Sequence, residues 1–171
     1  MKTIIKQGTI VSPSETYIAD ILIEDEKIVS IGENLEDEEA LVIDAHGKYV
    51  LPGGVDVHTH MDLQVGSGKA VDDFYDGTVA AACGGTTSIV DHMGFGPEGC
   101  NLHYQLNEYH RLADGKAVID YGFHGTAQHV NSDILSELEG MIEDGVPSVK
   151  VYLTYNRRLN DAEALQVLKR M

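Results

Sequence analysis

The pattern of apolar and polar residues changes near Pro52. Before it, short apolar and β-branched runs alternate with Gly, Pro and acidic breaks, at a spacing typical of antiparallel hairpins. The predicted strands are 3–6, 9–11, 18–23, 27–31, 41–43 and 48–51. About 50 residues of short strands bury little apolar surface by themselves, so we expect them to complete a sheet with other material.

After Pro52, predicted strands and helices alternate. The strands are 54–58, which reads as buried, 86–91, 117–123 and 148–155, and the helices are 73–83, 102–112, 131–143 and 160–171. Ile134, Leu138 and Met141 recur at helical spacing. Asn160 and Glu163 have the spacing of a capping box. Four strand–helix units in sequence predict a parallel sheet.

Four such units are half of a (β/α)8 barrel, which needs about 200 to 250 residues or more. The chain has 171 residues. Residues 162–171 continue a helical pattern with no Gly or Pro stop signal. The sequence therefore predicts the first half of a barrel, in truncated form.

Composition and charge narrow the classes of function. With 43% hydrophobic and 23% charged residues, the chain has a globular composition that can bury a core. Its formal net charge of −16 argues against a nucleic-acid partner, whose phosphates bind clustered Lys and Arg. No apolar run approaches the roughly 18 residues of a membrane span, and residues 1–8 lack the features of a signal peptide. We expect a cytoplasmic protein with no membrane partner.

The two cysteines, Cys83 and Cys100, do not form a C-x-x-C pair. A single disulfide between them would be unremarkable, but reduced thiols are the expected state in the cytoplasm. Cys83 follows three alanines and is predicted to be a small core residue.

A pair of histidines, His58 and His60, follows the strand entry 51–55. Side chains at i and i+2 of a strand point to the same face, and two imidazoles at a strand end can bind one metal ion. Two solvated or hydrogen-bonded histidines are the alternative. The position favours a metal site, because active sites lie at the carboxyl ends of barrel strands. Asp62 is either a carboxylate that supports the ligands or an ordinary surface residue.

Lys150 lies inside a predicted strand between Val149 and Val151. A charged, unpaired lysine in that position is costly, and three interpretations compete. The amine pairs with an acid, it extends out of the sheet, or it is neutral and reactive, since burial favours the neutral amine. A neutral amine can add carbon dioxide to give a carbamate, whose two oxygens can bridge two metal ions.

Two loop features have an ordinary alternative. The Gly-rich loop 62–70 is either a lid over the site or a plain strand–helix connection. Phe95 either offers an apolar wall to a substrate or packs under its own loop.

Four segments together resemble the cyclic amidohydrolases: Gly53–His60, Ala81–Thr87, Asp91–Met93 and Lys150–Tyr155. Within that family the chain is most similar to the hydantoinase and dihydropyrimidinase group, especially the bacterial D-phenylhydantoinases. The resemblance runs in order and spacing from residue 1 to residue 171. It implies an α/β fold, an amidohydrolase-type TIM (β/α)8 barrel of which about the first half is present, with part of a small N-terminal β-sandwich. Residues 1–51 would be the part of the sandwich and residues 52–171 the first four βα units.

The resemblance also implies roles for individual residues. His58 and His60 match the pair that binds the more buried zinc, and Lys150 matches the carboxylated lysine that bridges two Zn²⁺ per subunit. Tyr155 matches the tyrosine that contacts the substrate carbonyl and stabilises the oxyanion. The remaining ligands, two histidines and an aspartate that shuttles the proton, would lie beyond Met171. Three further histidines match no ligand position and are expected to have hydrogen-bonding or structural roles: His92, His124 and His129.

The implied activity is zinc-dependent hydrolysis of the cyclic amide bond of hydantoins, D-5-monosubstituted and including aryl ones, to N-carbamoyl amino acids. A dihydropyrimidinase or allantoinase-like amidase is the alternative within enzymes. A non-catalytic dihydropyrimidinase-like scaffold or an inactive fragment is the alternative outside them, and the presence of His58, His60 and Lys150 argues against a scaffold. The implied partners are a small cyclic amide and further subunits of a homotetramer. We expect 171 residues alone to be inactive.

Overall fold

A break after Pro52 divides the chain, for which the computed structural model describes residues Met1–Met171. The first unit, Met1–Pro52, consists of strands, and the second, Gly53–Met171, contains all the helices. None of these helices combines the length and the apolar character that crossing a membrane requires. The assignment of residues 1–51 to a β-sandwich stays a prediction.

The first unit is a five-stranded sheet. Its strands are β1 (Lys2–Val11), β2 (Thr16–Glu24), β3 (Lys27–Gly32), β4 (Leu41–Asp44) and β5 (Tyr49–Val50). The order is β3-β2-β1-β4, and β5 also pairs with β1. β1, β2 and β3 pair antiparallel, but β4 and β5 run parallel to β1. The prediction that all the strands before Pro52 form antiparallel hairpins was therefore wrong. The connection after β3 passes β2 to reach the free side of β1, and such a crossover brings β4 in parallel.

The predicted strands 3–6 and 9–11 are one strand, β1, with a bulge between them. The register of β1 against β2 shifts between Ile5 and Gly8, and Gln7 there has a φ of 55°. The buried carboxylate of Asp20 accepts the N–H of Gln7 at 2.8 Å and the N–H of Leu35 at 3.0 Å. The ammonium group of Lys6 donates to it at 3.1 Å. The Gln7 N–H contributes most to holding the pKa of Asp20 below its ordinary value, while burial acts in the opposite direction.

The second unit alternates strands and helices. Its elements are β6 (Gly54–Thr59), β7 (Gln64–Val65), β8 (Gly68–Lys69), α1 (Phe74–Cys83), β9 (Thr86–His92), α2 (Leu102–Ala113), β10 (Asp120–Ala127), α3 (Ser132–Glu143), β11 (Val149–Val151) and α4 (Asp161–Leu168). β6, β9, β10 and β11 form one sheet in that order, with every pair parallel. This confirms the predicted parallel sheet of four βα units.

The four strands have the same order in the sheet as in the chain. Because the crossover connections between parallel strands are right-handed, the connecting helices all lie on the same face of the sheet. The core of the unit lies between that face and the helices. Ile89 and Phe123 supply it from the strands, and Leu138 and Met141 supply it from α3. Since neighbours along a strand point to opposite faces, the residue after Phe123 points away from the helices. That second face carries the candidate chemistry.

Several sequence predictions were wrong in detail. β6 is exposed along most of its length rather than buried, because it is an edge strand with a neighbour on one side only. Cys83 is exposed rather than in the core, since it is the last residue of α1. The last helix, α4, ends at Leu168 rather than at Met171.

The bounds of two strands also differ from the prediction. β10 covers 120–127 rather than 117–123, because residues 116 and 117 still donate to the Ala113 carbonyl in the turn after α2. β11 covers 149–151 rather than 148–155. It pairs only with β10, whose last residue, Ala127, is paired with Val151. Residues after Val151 therefore have no strand partner.

We predict that Asp20→Asn destabilises the first unit by about 1–3 kcal/mol at neutral pH, because buried donors lose a charged acceptor. The pKa of Asp20 is lowered in the folded state, so its contribution is present above the unfolded value of about 3.9 and is lost as the pH falls through the folded value. Urea unfolding of both proteins across acidic pH measures the difference. Asp44→Asn, at an exposed position, is the matched control, and an equal loss there would contradict the role of Asp20.

Candidate metal centre

Four imidazole rings form a histidine cluster across three strands of the second sheet, in which His60 also lies 5.3 Å from His92 between ring centroids. His58 and His60 come from the end of β6, His92 ends β9, and His124 lies on β10 in register with His92. Ring centroids are 5.2 Å apart for His58 and His60, 4.2 Å for His58 and His92, and 4.4 Å for His92 and His124. The structure therefore brings the predicted pair together and adds two histidines that were not predicted as ligands.

The two predicted histidines do not lie on a regular strand. Asp56 pairs with Ile89 and Thr59 pairs with Asp91, so β6 has one more residue than β9 between these pairs. This is a β-bulge, a feature that re-aims side chains and is common next to active sites. His58 lies in the bulge, and His60 follows the last residue of β6. Simple alternation along a strand therefore does not account for their closeness.

The environment of His60 suits a metal ligand. Its Nδ1 is buried and has no hydrogen-bond partner. Burial contributes most to lowering the pKa of His60, followed by the charge of Lys150. A metal-binding imidazole must be neutral with a free nitrogen, and His60 meets both conditions.

His92 has a similar environment. Burial, and then the charge of Lys150, lower the pKa of His92 to about 4, and its buried Nδ1 also has no partner. Even so, no three side chains among His, Cys, Asp and Glu are arranged to hold a metal ion. The two imidazoles of the H-x-H pair fit a metal, but they need further ligands such as an oxygen from Lys150.

Lys150 lies at the middle of β11, in register with Thr126, and is partly buried. Its side chain forms no ion pair or hydrogen bond with another residue of this chain, so the pairing with an acid considered from the sequence is not observed. Its Nζ lies 5.0 Å from the centroid of the Tyr152 ring. The charge of Lys150 contributes to lowering the pKa of both His60 and His92.

Tyr155, the predicted substrate-binding residue, lies in the loop after β11. It is 74% exposed, has a φ of 66° and touches the Tyr152 ring with centroids 5.8 Å apart. A positive φ is uncommon for a bulky residue. The structure does not bring its hydroxyl into contact with the histidine cluster, and its role in binding the substrate stays a prediction.

Sequence reasoning missed Asp91, which is fully buried at the end of β9. One carboxylate oxygen accepts from the Thr59 hydroxyl at 2.7 Å and from the Met61 N–H at 2.8 Å. These donors flank His60 on both sides. The other oxygen has no partner, and burial raises the pKa of Asp91 to about 6. The signal in the sequence was an acidic residue at the end of an apolar strand, beside His92.

Asp62, the loop 62–70 and Phe95 differ in their burial and contacts. Asp62 is buried rather than on the surface; it pairs with Lys69 and accepts the Phe74 N–H at 3.4 Å. Loop 62–70 contains the short hairpin of β7 and β8. Phe95 is part-exposed, with its ring 4.9 Å from that of Tyr152 and 5.6 Å from the Arg157 guanidinium.

A cavity of about 580 Å³ is lined by residues outside the histidine cluster, among them Gln128, His129, Arg157 and Arg158.

A sequence model of the amidohydrolase family matches residues 41–150, more than half of the chain. The chain therefore belongs to the amidohydrolase family, whose members are generally metal-dependent. It is 52% identical to the D-phenylhydantoinase of Escherichia coli (strain 55989 / EAEC) over 172 residues, which is 100% of this chain and 37% of that protein.

Solved structures agree with this relationship. A D-hydantoinase matches with a TM-score of 0.95 and 45% identity, over 99% of this chain and 37% of that one. The dihydropyrimidinase from Brevibacillus agri NCHU1002 matches with a TM-score of 0.95 and 46% identity, over the same shares. The chain thus spans 37% of the length of these relatives. The resemblance and the fold class predicted from sequence are confirmed, and the parallel sheet is part of an amidohydrolase barrel.

We predict that Asp91→Ala destabilises the second unit by about 2–4 kcal/mol, because two buried or part-buried donors lose their acceptor. Asp91→Asn keeps an acceptor oxygen for both donors and should cost less. Urea unfolding at neutral pH measures both. Thr59→Val is the control that removes one donor and nearly preserves volume; if it cost as much as Asp91→Ala, the Met61 contact would have no part in the effect.

Proposed function

We propose that this chain is part of a zinc-dependent hydrolase that opens the cyclic amide bond of D-5-monosubstituted hydantoins, including aryl ones, to give N-carbamoyl amino acids. One observation carries the proposal. The chain is 52% identical over all its residues to a D-phenylhydantoinase, and one parallel sheet carries His60, directly after β6, and Lys150, on β11. The ring of His58 lies beside that of His60.

The donor set fits zinc. His58 and His60 would hold one ion through imidazole nitrogens, and the carbamate of carboxylated Lys150 would supply oxygen ligands to that ion and to a second one. Zinc bound there would polarise a carbonyl and lower the pKa of a water. The free buried Nδ1 of His60 supports this assignment.

The charge at Lys150 supports the carbamate. A cationic Lys150 amine beside the histidine cluster disfavours a bound metal ion. A carbamate at the same position is an anion and favours it. It forms when the neutral amine nitrogen bonds to the carbon of carbon dioxide and loses a proton. Lys150 has no acid partner that would hold it as a cation, so the modification breaks no ion pair.

Tyr155 would act on the substrate. Its exposed hydroxyl is available to donate a hydrogen bond to the ring carbonyl oxygen as negative charge develops there. Water adds to the carbonyl carbon, the ring C–N bond breaks, and the nitrogen takes up a proton. By resemblance, the aspartate that shuttles this proton is supplied from outside residues 1–171.

Related activities remain second candidates. The similarity to a protein named dihydropyrimidinase favours that activity next, and an allantoinase-like amidase follows it. A non-catalytic scaffold is disfavoured, because His58, His60 and Lys150 are all present. By the same resemblance we propose a homotetramer in the cytoplasm with two Zn²⁺ per subunit.

We predict that the native chain, grown with zinc and bicarbonate, has an intact mass higher than the sequence by one carbon dioxide. The reason is that Lys150 is partly buried without an acid partner. Lys150→Arg should lose this mass, while Lys116→Arg, at an exposed lysine of the same unit, should keep it. A folded, zinc-loaded chain without the added mass would contradict the bridging role.

We predict that the 171-residue chain alone does not turn over hydantoin, because its His, Cys, Asp and Glu side chains form no complete metal site. A hybrid in which it replaces the matching segment of the E. coli D-phenylhydantoinase should hydrolyse phenylhydantoin, measured as N-carbamoyl product. His58→Ala or Lys150→Ala in the hybrid should abolish turnover, whereas Tyr155→Phe should lower kcat by about 100-fold. A folded, zinc-loaded hybrid that is inactive on hydantoins would overturn the proposal.

A further inference from the structure

The ring of His124 joins two separate segments of the chain. Its Nε2 lies 2.9 Å from the carbonyl oxygen of Val57, and its Nδ1 is hydrogen-bonded to the hydroxyl of Ser148. Val57 directly precedes His58, and Ser148 lies two residues before Lys150. These are the two segments that carry the proposed ligands, and neither contact belongs to a sheet ladder.

The Val57 carbonyl is available because β6 is bulged. The residues between Asp56 and Thr59 are outside the regular pairing with β9. A backbone carbonyl freed in this way needs another donor. His124 supplies the donor from β10, which is two strands away in the sheet.

Ser148 is held twice by neighbouring residues of β10. Its carbonyl oxygen accepts the N–H of Gly125 at 2.9 Å, and its hydroxyl meets Nδ1 of His124. These contacts fix where β11 begins, and Lys150 then pairs in register with Thr126. The same short stretch of β10 therefore determines the place of Lys150 and, through the Val57 carbonyl, that of His58.

The atom types determine the direction of each hydrogen bond. A carbonyl oxygen only accepts, so Nε2 of His124 carries the proton; in the neutral ring Nδ1 then accepts, and the Ser148 hydroxyl donates. The ring also stacks on His92, with centroids 4.4 Å apart and planes at 25°. The stacking fixes the plane in which both bonds are made.

We propose that His124 is a positioning residue that, as the Nε2–H tautomer, sets the separation between the His58 segment and the Lys150 strand. It acts through the Val57 carbonyl and the Ser148 hydroxyl. The assignment of the tautomer and the joining of the two segments follow from the hydrogen bonds of His124. The consequence for zinc rests on the proposed function.

The first test uses the full 171-residue chain without metal. NMR of the ring nitrogens of His124 should give Nε2 protonated and Nδ1 bare. His124→Phe should raise amide hydrogen exchange at residues 57–59 and at residues 148–150, whereas Ser148→Ala should raise it only at the second stretch. The Nδ1–H tautomer, or unchanged exchange at both stretches in His124→Phe, would overturn the proposal.

The second test measures, by chelator competition, the zinc affinity of the hybrid with the E. coli D-phenylhydantoinase. His124→Phe should weaken binding by about 10- to 100-fold, the effect of losing a group that orients a ligand. His124→Gln, whose amide can still donate to the Val57 carbonyl, should recover most of the affinity, which a purely structural role does not predict. His110→Phe, at a part-exposed histidine of α2, is the matched control.

The outcomes separate the two proposals. Tight zinc binding by the parent hybrid with equal affinity in its His124→Phe variant would overturn the positioning role alone. A folded hybrid with neither zinc nor the carbamate, together with the expected tautomer and exchange pattern in the chain, would count against the proposed function while supporting the joining of the two segments.

Discussion

One extra residue in β6, relative to β9, determines how the candidate centre is arranged. A regular parallel ladder would send successive side chains of β6 to alternate faces and use its carbonyls in pairing. The bulge instead frees the Val57 carbonyl for His124 and brings the rings of His58 and His60 to 5.2 Å. The ladder resumes with Thr59 opposite Asp91, whose carboxylate binds on both sides of His60. The backbone thus places the proposed ligands His58 and His60 side by side.

The polar atoms around this bulge are costly for the fold. His60, Asp91 and His92 each have a buried atom without a hydrogen-bond partner, and such atoms are few in native structures because each costs about 1–3 kcal/mol. These three are half of the buried side-chain atoms without a partner and lie together at the carboxyl edge of one parallel sheet, whereas the other three belong to Asp62, Gln105 and Gln128. Concentration of unpaired, shifted groups at one place is typical of a functional site. The free energy that they cost is supplied by the apolar core on the other face, around Phe123, Leu138 and Met141.

Much of the second unit could be predicted from its sequence. Alternating periodicities predicted four βα units, and Asn160 with Glu163 forms the predicted capping box. The H-x-H pair and Lys150 could be proposed from the sequence because both depend on local residue type and position, and their roles stay predictions. The bulge, the exposure of β6 and the parallel pairing of β4 depend on which strand lies beside which, and a single strand's pattern does not encode its neighbour. Asp91 was missed for the same reason, since its partner Met61 is 30 residues away. His124 was expected to have a hydrogen-bonding or structural role, but its partner Val57, 67 residues away, could not be named.

The position of Lys150 depends on contacts outside the sheet. β11 has only three residues and pairs with β10 alone, so its ladder gives little positional restraint. Three contacts at its ends supply the rest: the Ser148 hydroxyl with His124, the Tyr152 ring 5.0 Å from the lysine Nζ, and the Tyr152 carbonyl that accepts the Leu159 N–H at 2.8 Å. A lysine placed in this way is held by its flanking side chains more than by strand length. The segment from Ser148 to Tyr155 is therefore informative as a residue pattern, even though most of it is not a strand.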